Sequence, residues 1–166
     1  MLFRSELAVA QREGSLYRNF QGYSTHADCD LVAMGVTAIG KVGGSYSQNV
    51  KTLDTYSAVL DAGRLPVFRG IRLSADDKLR REVITQLICH FKLDYIRIEQ
   101  AFGIRFPDYF AAELEALRTM QADGLLDVGL HSINVRPSGK LLIRNICMVF
   151  DAYLHAAHKQ HFSKVI

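Results

Sequence analysis

Tryptophan is absent from the 166 residues, and proline and cysteine occur only three times each. No apolar run approaches the roughly 18 residues of a membrane span, and no signal peptide opens the chain. The reading is therefore a cytoplasmic protein with no membrane partner. Cys29, Cys89 and Cys147 are odd in number and far apart. A disulfide framework needs pairs, and a zinc or iron–sulfur site needs ligands at short spacing, so both are excluded by spacing. All three are expected to be buried, inert thiols. An excess of one charge is also missing. Lys and Arg total 20 against 17 Asp and Glu, and the net charge of +3 is spread along the chain. That is a weak pull on anions and no specific mark of nucleic acid.

What is present describes an ordinary globular protein, with 49% hydrophobic and 22% charged residues. The length allows one good core and at most two small units. The densest stretch is Asn19 to Asn49, NFQGYSTHADCDLVAMGVTAIGKVGGSYSQN. Small residues, close-approach glycines and a few polar side chains gather there, as they do where a backbone meets a ligand.

Before it, SELAVAQREG within Met1 to Tyr17 reads as a short helix, with Leu7, Ala8 and Ala10 on one face, Ser5 as cap and Gly14 as stop. Arg18 to Thr25 reads as loop or irregular strand. Leu31 to Ile39 is an apolar run that periodicity alone reads as a buried helix or a buried parallel strand; its length, β-branched residues and interior Gly35 favour a strand buried on both faces. Ser45 to Asn49 is a short strand or turn presenting Tyr46 and Gln48. Thr52 to Ala62 predicts a helix with Leu53, Tyr56, Val59 and Leu60 on one face, and Leu65 to Leu73 an edge strand. The organisational boundary falls between Leu73 and Ser74.

Beyond it, Ser74-Ala75-Asp76-Asp77 caps a helix whose core face carries Leu79, Val83, Ile84, Leu87 and Ile88. Asp94 to Ala101 gives a second helix closed by Gly103. Pro107 opens a third, with Tyr109, Phe110, Leu114, Leu117 and Met120 inward. A hairpin follows through Leu125–Val128 and Ile133–Val135, and then one long helix from Lys140 to Ala157. Three helices, a hairpin and a further helix make a winged-helix-like arrangement. The third helix carries Asp108, Glu113 and Glu115, which repel phosphate, so no nucleic-acid partner is expected. His26, Asp28, Cys29 and Asp30 are too tightly spaced to converge on one ion. His155, His158 and His161 read as a solvated basic face.

The wording of five blocks carries more than these statistics. RNFQGYSTHADCDLVAMGVTAI, SYSQN, RLSADDKLRREVI, GKLLIRNICMVFDAYL and FSKVI follow one another in order. Together they resemble the C-terminal portion of oxygen-independent coproporphyrinogen III oxidase, a radical S-adenosylmethionine family. The resemblance implies an α+β, predominantly helical chain: the remnant of the end of a (β/α) barrel over residues 1–73, then a winged-helix-like C-terminal domain over 74–166. It implies haem biosynthesis, in which two propionates of coproporphyrinogen III are decarboxylated to vinyl groups without oxygen.

In the full-length family the cofactors are S-adenosylmethionine and a four-iron four-sulfur cluster held by CxxxCxxC. That motif is absent here, so no cluster is expected in this chain and catalytic inactivity is expected of it alone. By the same resemblance Phe20, Gln21 and Ile39 approach S-adenosylmethionine. Arg69, Arg72 and Arg144 are candidates for the substrate's propionates by charge alone. The expected partners are coproporphyrinogen III, the missing N-terminal barrel portion and, through an exposed barrel edge, a second copy. The alternative reading is a stand-alone tetrapyrrole- or anion-binding protein without radical chemistry.

Overall fold

The computed structural model describes residues 5–27 and 29–156. The described part of Met1–Leu16 joins that of Leu79–Ile166 in one compact unit, and Tyr17–Lys78 forms the other. Helix α1 (Glu6–Glu13) ends on Gly14, whose positive φ lets its amide turn back to Ala10 and Gln11. Ser5 sits at the cap position, but its side chain makes no capping bond.

The Tyr17–Lys78 unit contains a hairpin and an antiparallel sheet. Strands β1 (Tyr17–Asn19) and β2 (Gly22–Ser24) pair around a tight turn, where a loop or irregular strand was expected. Strands β3 (Ile39–Val42), β4 (Ser45–Asn49) and β5 (Val67–Arg72) form a sheet in that order, with α2 (Leu53–Asp61) between the last two. Helix α2 forms where the sequence placed it, but none of its residues is buried. Strand β5 is an edge, as Pro66 just before it foretold, and every one of its residues is exposed.

The expected strand from Leu31 to Ile39 does not form. Leu31 makes a single bridge to Lys41, and only Ile39 enters a strand, which it opens. Val32 is 67% and Met34 81% exposed, so the run is not a buried layer at all. The physical reason is polar. Gly35 and Thr37 both take positive φ, at 96° and 60°, which no strand permits. Asn49, only 3% exposed, donates its side-chain amide to the carbonyl oxygens of Ala33 at 3.3 Å and Gly35 at 2.9 Å. Backbone oxygens that a neighbouring strand would satisfy are satisfied by one side chain.

The other unit holds the hydrophobic core. Ser74 and Asp77 cap α3 (Ala75–His90) reciprocally: the Ser74 amide donates to Asp77 Oδ2 at 2.8 Å, and the Asp77 amide to Ser74 Oγ at 3.1 Å. Leu79, Val83 and Leu87 then fall on one buried stripe, with Ile84 and Ile88 half-buried beside it. Strand β6 (Lys92–Asp94), which the sequence did not announce, precedes α4 (Tyr95–Phe102).

The expected third helix is broken at Phe110 into α5 (Phe106–Tyr109) and α6 (Ala111–Ala122). Phe110 and Leu117 are buried as expected, whereas Tyr109 is exposed. The rings of Tyr95, Phe106, Phe110 and Phe150 pack in succession at 4.2, 4.7 and 5.5 Å between centroids. The predicted hairpin is β7 (Leu126–Val128) and β8 (Ser132–Val135), and β8 also pairs with β6, giving the order β6-β8-β7.

The long terminal helix is three short pieces: α7 (Pro137–Lys140), α8 (Ile143–Met148) and α9 (Ala152–Ala156). Leu141 and Leu142 lie between the first two and are exposed. Asp28, His158, His161 and the FSKVI ending lie outside the described residues, as does the side chain of His155. The result is a mixed helix-and-sheet protein. No described helix is long and apolar enough to cross a membrane.

Candidate functional site

The antiparallel register of β3, β4 and β5 decides which side chains meet. Ile39 pairs with Gln48 and Lys41 with Tyr46; Gln48 pairs in turn with Arg69, and Tyr46 with Ile71. Cross-strand partners project from the same side of a sheet, and successive residues alternate. Ile39, Lys41, Tyr46, Gln48, Arg69 and Ile71 therefore share one face. Arg72, paired with Ser45, projects from the other. Two of the arginines named as candidates for the substrate's propionates thus lie on opposite faces of the strand.

On the shared face Ile39, Tyr46, Gln48, Arg69 and Ile71 line an open concavity of about 220 Å³. Its sides are apolar and its polar groups few. Phe20 extends it from the β1–β2 turn: its ring stands edge-on to Tyr46, centroids 5.1 Å apart at 82°. The turn is built locally, because the Asn19 side-chain oxygen accepts the amide of Gln21 at 2.9 Å. Gln21 is exposed beside Phe20 in the same turn. Arg69 Nε donates to Gln48 Oε1 at 2.9 Å, and Gln48 Nε2 donates to the Thr37 carbonyl at 3.3 Å. Lys41 is engaged elsewhere, with its ammonium 3.3 Å from the Tyr17 hydroxyl and 5.0 Å from that ring's centroid.

On the reverse face the sheet is covered at Gly40, where a Cβ would stand 3.0 Å from the Leu31 carbonyl and 3.2 Å from Ser47 Oγ, so the absence of a side chain there lets the Leu31–Ala33 segment lie close against the sheet. Phe20, Ile39 and Arg69 therefore gather around one surface, with Gln21 at its margin. Arg144 belongs to the other unit, exposed on α8. Tyr46 and Gln48 were visible in the sequence as residues a short strand would present. Asn49 was missed, and its only signal was a polar residue ending an otherwise strand-like run.

The cysteines do not fit an iron–sulfur cluster. Cys29 is exposed, contrary to the expectation of a buried thiol, while Cys89 and Cys147 are buried in the other unit. No group of three or more His, Cys, Asp or Glu is poised to hold a metal among the described residues. Perturbed protonation also lies in that other unit. Burial pushes the Tyr95 hydroxyl up to about 12, and burial with the nearby Arg97 charge lowers His90. The Arg136 guanidinium, hydrogen-bonded to Asp127, holds that carboxyl below its usual range.

Comparison with known proteins shows what the chain is similar to. Residues 73–142 match the HemN C-terminal domain. The oxygen-independent coproporphyrinogen III oxidase of Pseudomonas aeruginosa is 50% identical over 161 residues, covering 97% of this chain and 35% of that protein. The chain is homologous to the C-terminal portion of the oxygen-independent coproporphyrinogen III oxidases. The Escherichia coli K12 protein of that name is 52% identical over 162 residues, with the same coverage of 97% and 35%. A solved structure described as coproporphyrinogen III oxidase (HemN) from Escherichia coli, a radical SAM enzyme, superposes with a TM-score of 0.88 at 53% identity. It covers 90% of this chain and 35% of that one. The chain thus spans about a third of the length of these coproporphyrinogen III oxidase relatives.

Proposed function

We propose that this chain supplies the C-terminal part of an enzyme that converts coproporphyrinogen III to protoporphyrinogen IX without oxygen. It contributes one wall of the S-adenosylmethionine and substrate site together with a covering domain, and it is inactive alone. The observation that carries this reading is that Ile39 and Arg69 share one sheet face with Tyr46, against which the ring of Phe20 packs. Drug-sized ligands fill pockets of about 300–1,000 Å³. A concavity of about 220 Å³ therefore takes part of such a ligand and leaves the rest to other polypeptide.

The roles follow from the side chains. Phe20 and Ile39 offer apolar surface to a planar or aliphatic group, Gln21 an amide that donates and accepts, and Arg69 a planar cation for a carboxylate. Arg72 projects from the opposite face of the sheet, so it does not share this face with Arg69; Arg144 lies on α8 of the other unit. A four-iron four-sulfur cluster would supply reducing chemistry in the full-length family, and exposed Cys29 with buried Cys89 and Cys147 does not fit as its ligand set.

We read residues 74–156 as winged-helix-like. Support comes from the order helix, strand, three helices, strand, strand, and from the edge-to-edge order β6-β8-β7. The division at Leu73–Ser74 places the barrel-end elements before it. We expect no nucleic-acid partner, since α5 and α6 expose the carboxylates of Asp108 and Glu115, and we place the protein in the cytoplasm. The bare edge of β5 directs self-association when nothing else pairs with it.

The stand-alone binding reading keeps the same face and removes the chemistry. Titration of the isotope-labelled chain with S-adenosylmethionine separates true from false. Amide shifts are expected at residues 20–21, 39–48 and 69–71, weakened by Phe20→Ala and Ile39→Asp. Shifts confined to the Leu79–Ile166 unit would overturn the assignment.

A further inference from the structure

The Arg69 side chain is held from behind. Its Nε donates to Gln48 Oε1 at 2.9 Å, and the Gln48 amide is fixed at its other end by donating to the Thr37 carbonyl at 3.3 Å. Thr37 lies in the loop that Asn49 fastens, and it holds a φ of 60° that a threonine rarely adopts. Its own amide donates to the Val50 carbonyl at 2.9 Å, so the carbonyl that receives Gln48 is itself fixed. A chain of hydrogen bonds thus runs from the backbone at Val50, through Thr37 and Gln48, to the guanidinium.

Arg69 lines the concavity beside Ile39, Tyr46 and Ile71, and with Nε committed its terminal nitrogens are the donors left for a ligand there. Among the described residues no acidic side chain bridges to them. Two parallel N–H donors match a carboxylate, which takes them as a pair, and the apolar neighbours suit the carbon skeleton to which that carboxylate is attached.

We propose that Gln48 is a positioning residue: by holding Nε it presents the terminal edge of Arg69 to a carboxylate borne on an apolar or aromatic body. The inference rests on the site reading given above and adds to it how the arginine is aimed. A free arginine side chain on an exposed strand samples many rotamers, and ordering it on binding costs affinity. Gln48 removes that cost before the ligand arrives. Both an amino-acid carboxylate of S-adenosylmethionine and a propionate of a tetrapyrrole have the required chemistry.

The experiment follows the Arg69 Nε–H signal in the isotope-labelled chain, assigned by its loss in Arg69→Lys. In wild type this proton exchanges slowly, and it shifts saturably as coproporphyrin III or, in a separate arm, S-adenosylmethionine is added. The arm that shifts it identifies the source of the carboxylate. Coproporphyrin tetramethyl ester, which has no carboxylate, leaves it in place. In Gln48→Leu the proton exchanges fast and carboxylate affinity falls roughly fivefold, the range expected from releasing one rotamer-rich side chain. Gln48→Glu, which keeps an acceptor for Nε, retains the slow exchange. If Gln48→Leu leaves exchange and affinity at wild-type values, the positioning role is wrong while the site reading stands. If the wild-type signal responds to neither carboxylate, the site reading falls and this inference falls with it.

Discussion

The side-chain amide of Asn49 donates to the carbonyl oxygen of Gly35 at 2.9 Å, and this bond holds an apolar run as a loop against the sheet. The same amide reaches Ala33 at 3.3 Å. One buried side chain thereby fixes the segment that leads into Ile39 and supports Thr37 behind Gln48.

Replacing Asn49 by Ala leaves the Ala33 and Gly35 carbonyls without this donor. The expected cost is about 2 kcal/mol, from two modest hydrogen bonds and the partial burial of the freed oxygens. Urea unfolding should show a lower midpoint with an unchanged slope. Asn49→Asp should fare no better, because a carboxylate cannot donate to a carbonyl. A midpoint for Asn49→Ala equal to wild type would remove the clamp from the account.

Tyr95 tests the core of the other unit. Its hydroxyl is buried with no hydrogen-bond partner among the described residues, while its ring stacks on Phe106 at 4.2 Å. Tyr95→Phe should therefore be neutral or slightly stabilising near pH 7, since it removes an unpaired polar atom and keeps the ring. The pH dependence has a definite sign. Burial raises the folded-state value from 10.0 to about 12. Between these limits the unfolded chain loses the proton first, so stability falls as pH rises, by on the order of 2 kcal/mol across the window. Urea midpoints at pH 9 and pH 11 should drop less for Tyr95→Phe than for wild type. Parallel drops would contradict the assignment.

Gly139 is a packing test at the start of the broken C-terminal helix. A Cβ there would stand 2.0 Å from the Leu125 carbonyl oxygen, which also accepts the Arg136 amide at 2.9 Å. Gly139→Ala must displace backbone on both sides and should cost about 3 kcal/mol or more, read as a fall in thermal midpoint. A fall no larger than that of a surface substitution would show that α7 moves freely.

Strand β5 is exposed along its length and pairs with β4 on one side only. Val67, Phe68 and Ile71 leave an apolar, unpaired edge of the kind that recruits another strand. Sedimentation of the chain alone should show concentration-dependent association. Phe68→Lys, which places a charge at that edge, should shift the distribution toward monomer. A monomer across the concentration range would set the edge aside as a docking element.

Much of this architecture could be read before the structure, and the failures share a cause. Ser74 with Asp77, Gly14 and Gly103 announce helix ends through local chemistry, and all three positions behave as read. Leu31 to Ile39 misled because its apolar, β-branched composition matches a buried strand. Its conformation is set instead by Asn49, a residue distant in sequence. The helix expected from Lys140 to Ala157 broke because its parts pack separately: Gly139 against Leu125, and Ile146 and Phe150 within the core. At the site, the resemblance supplied Phe20, Gln21 and Ile39, and charge supplied three arginines. Only the strand register could show that Arg69 shares the face of Ile39 while Arg72 does not.

The central claim is that this chain is one wall of a coproporphyrinogen III-decarboxylating site and completes it only with the preceding polypeptide. A chimera puts that claim at risk: the Escherichia coli K12 relative with its matching C-terminal 35% replaced by this chain, assayed anaerobically with coproporphyrinogen III and S-adenosylmethionine. The chimera should form protoporphyrinogen IX, Phe20→Ala or Arg69→Ala within it should lower the rate, and the chain alone should form none. Vinyl product from the chain alone, or a folded, cluster-loaded chimera that decarboxylates nothing, would contradict the account.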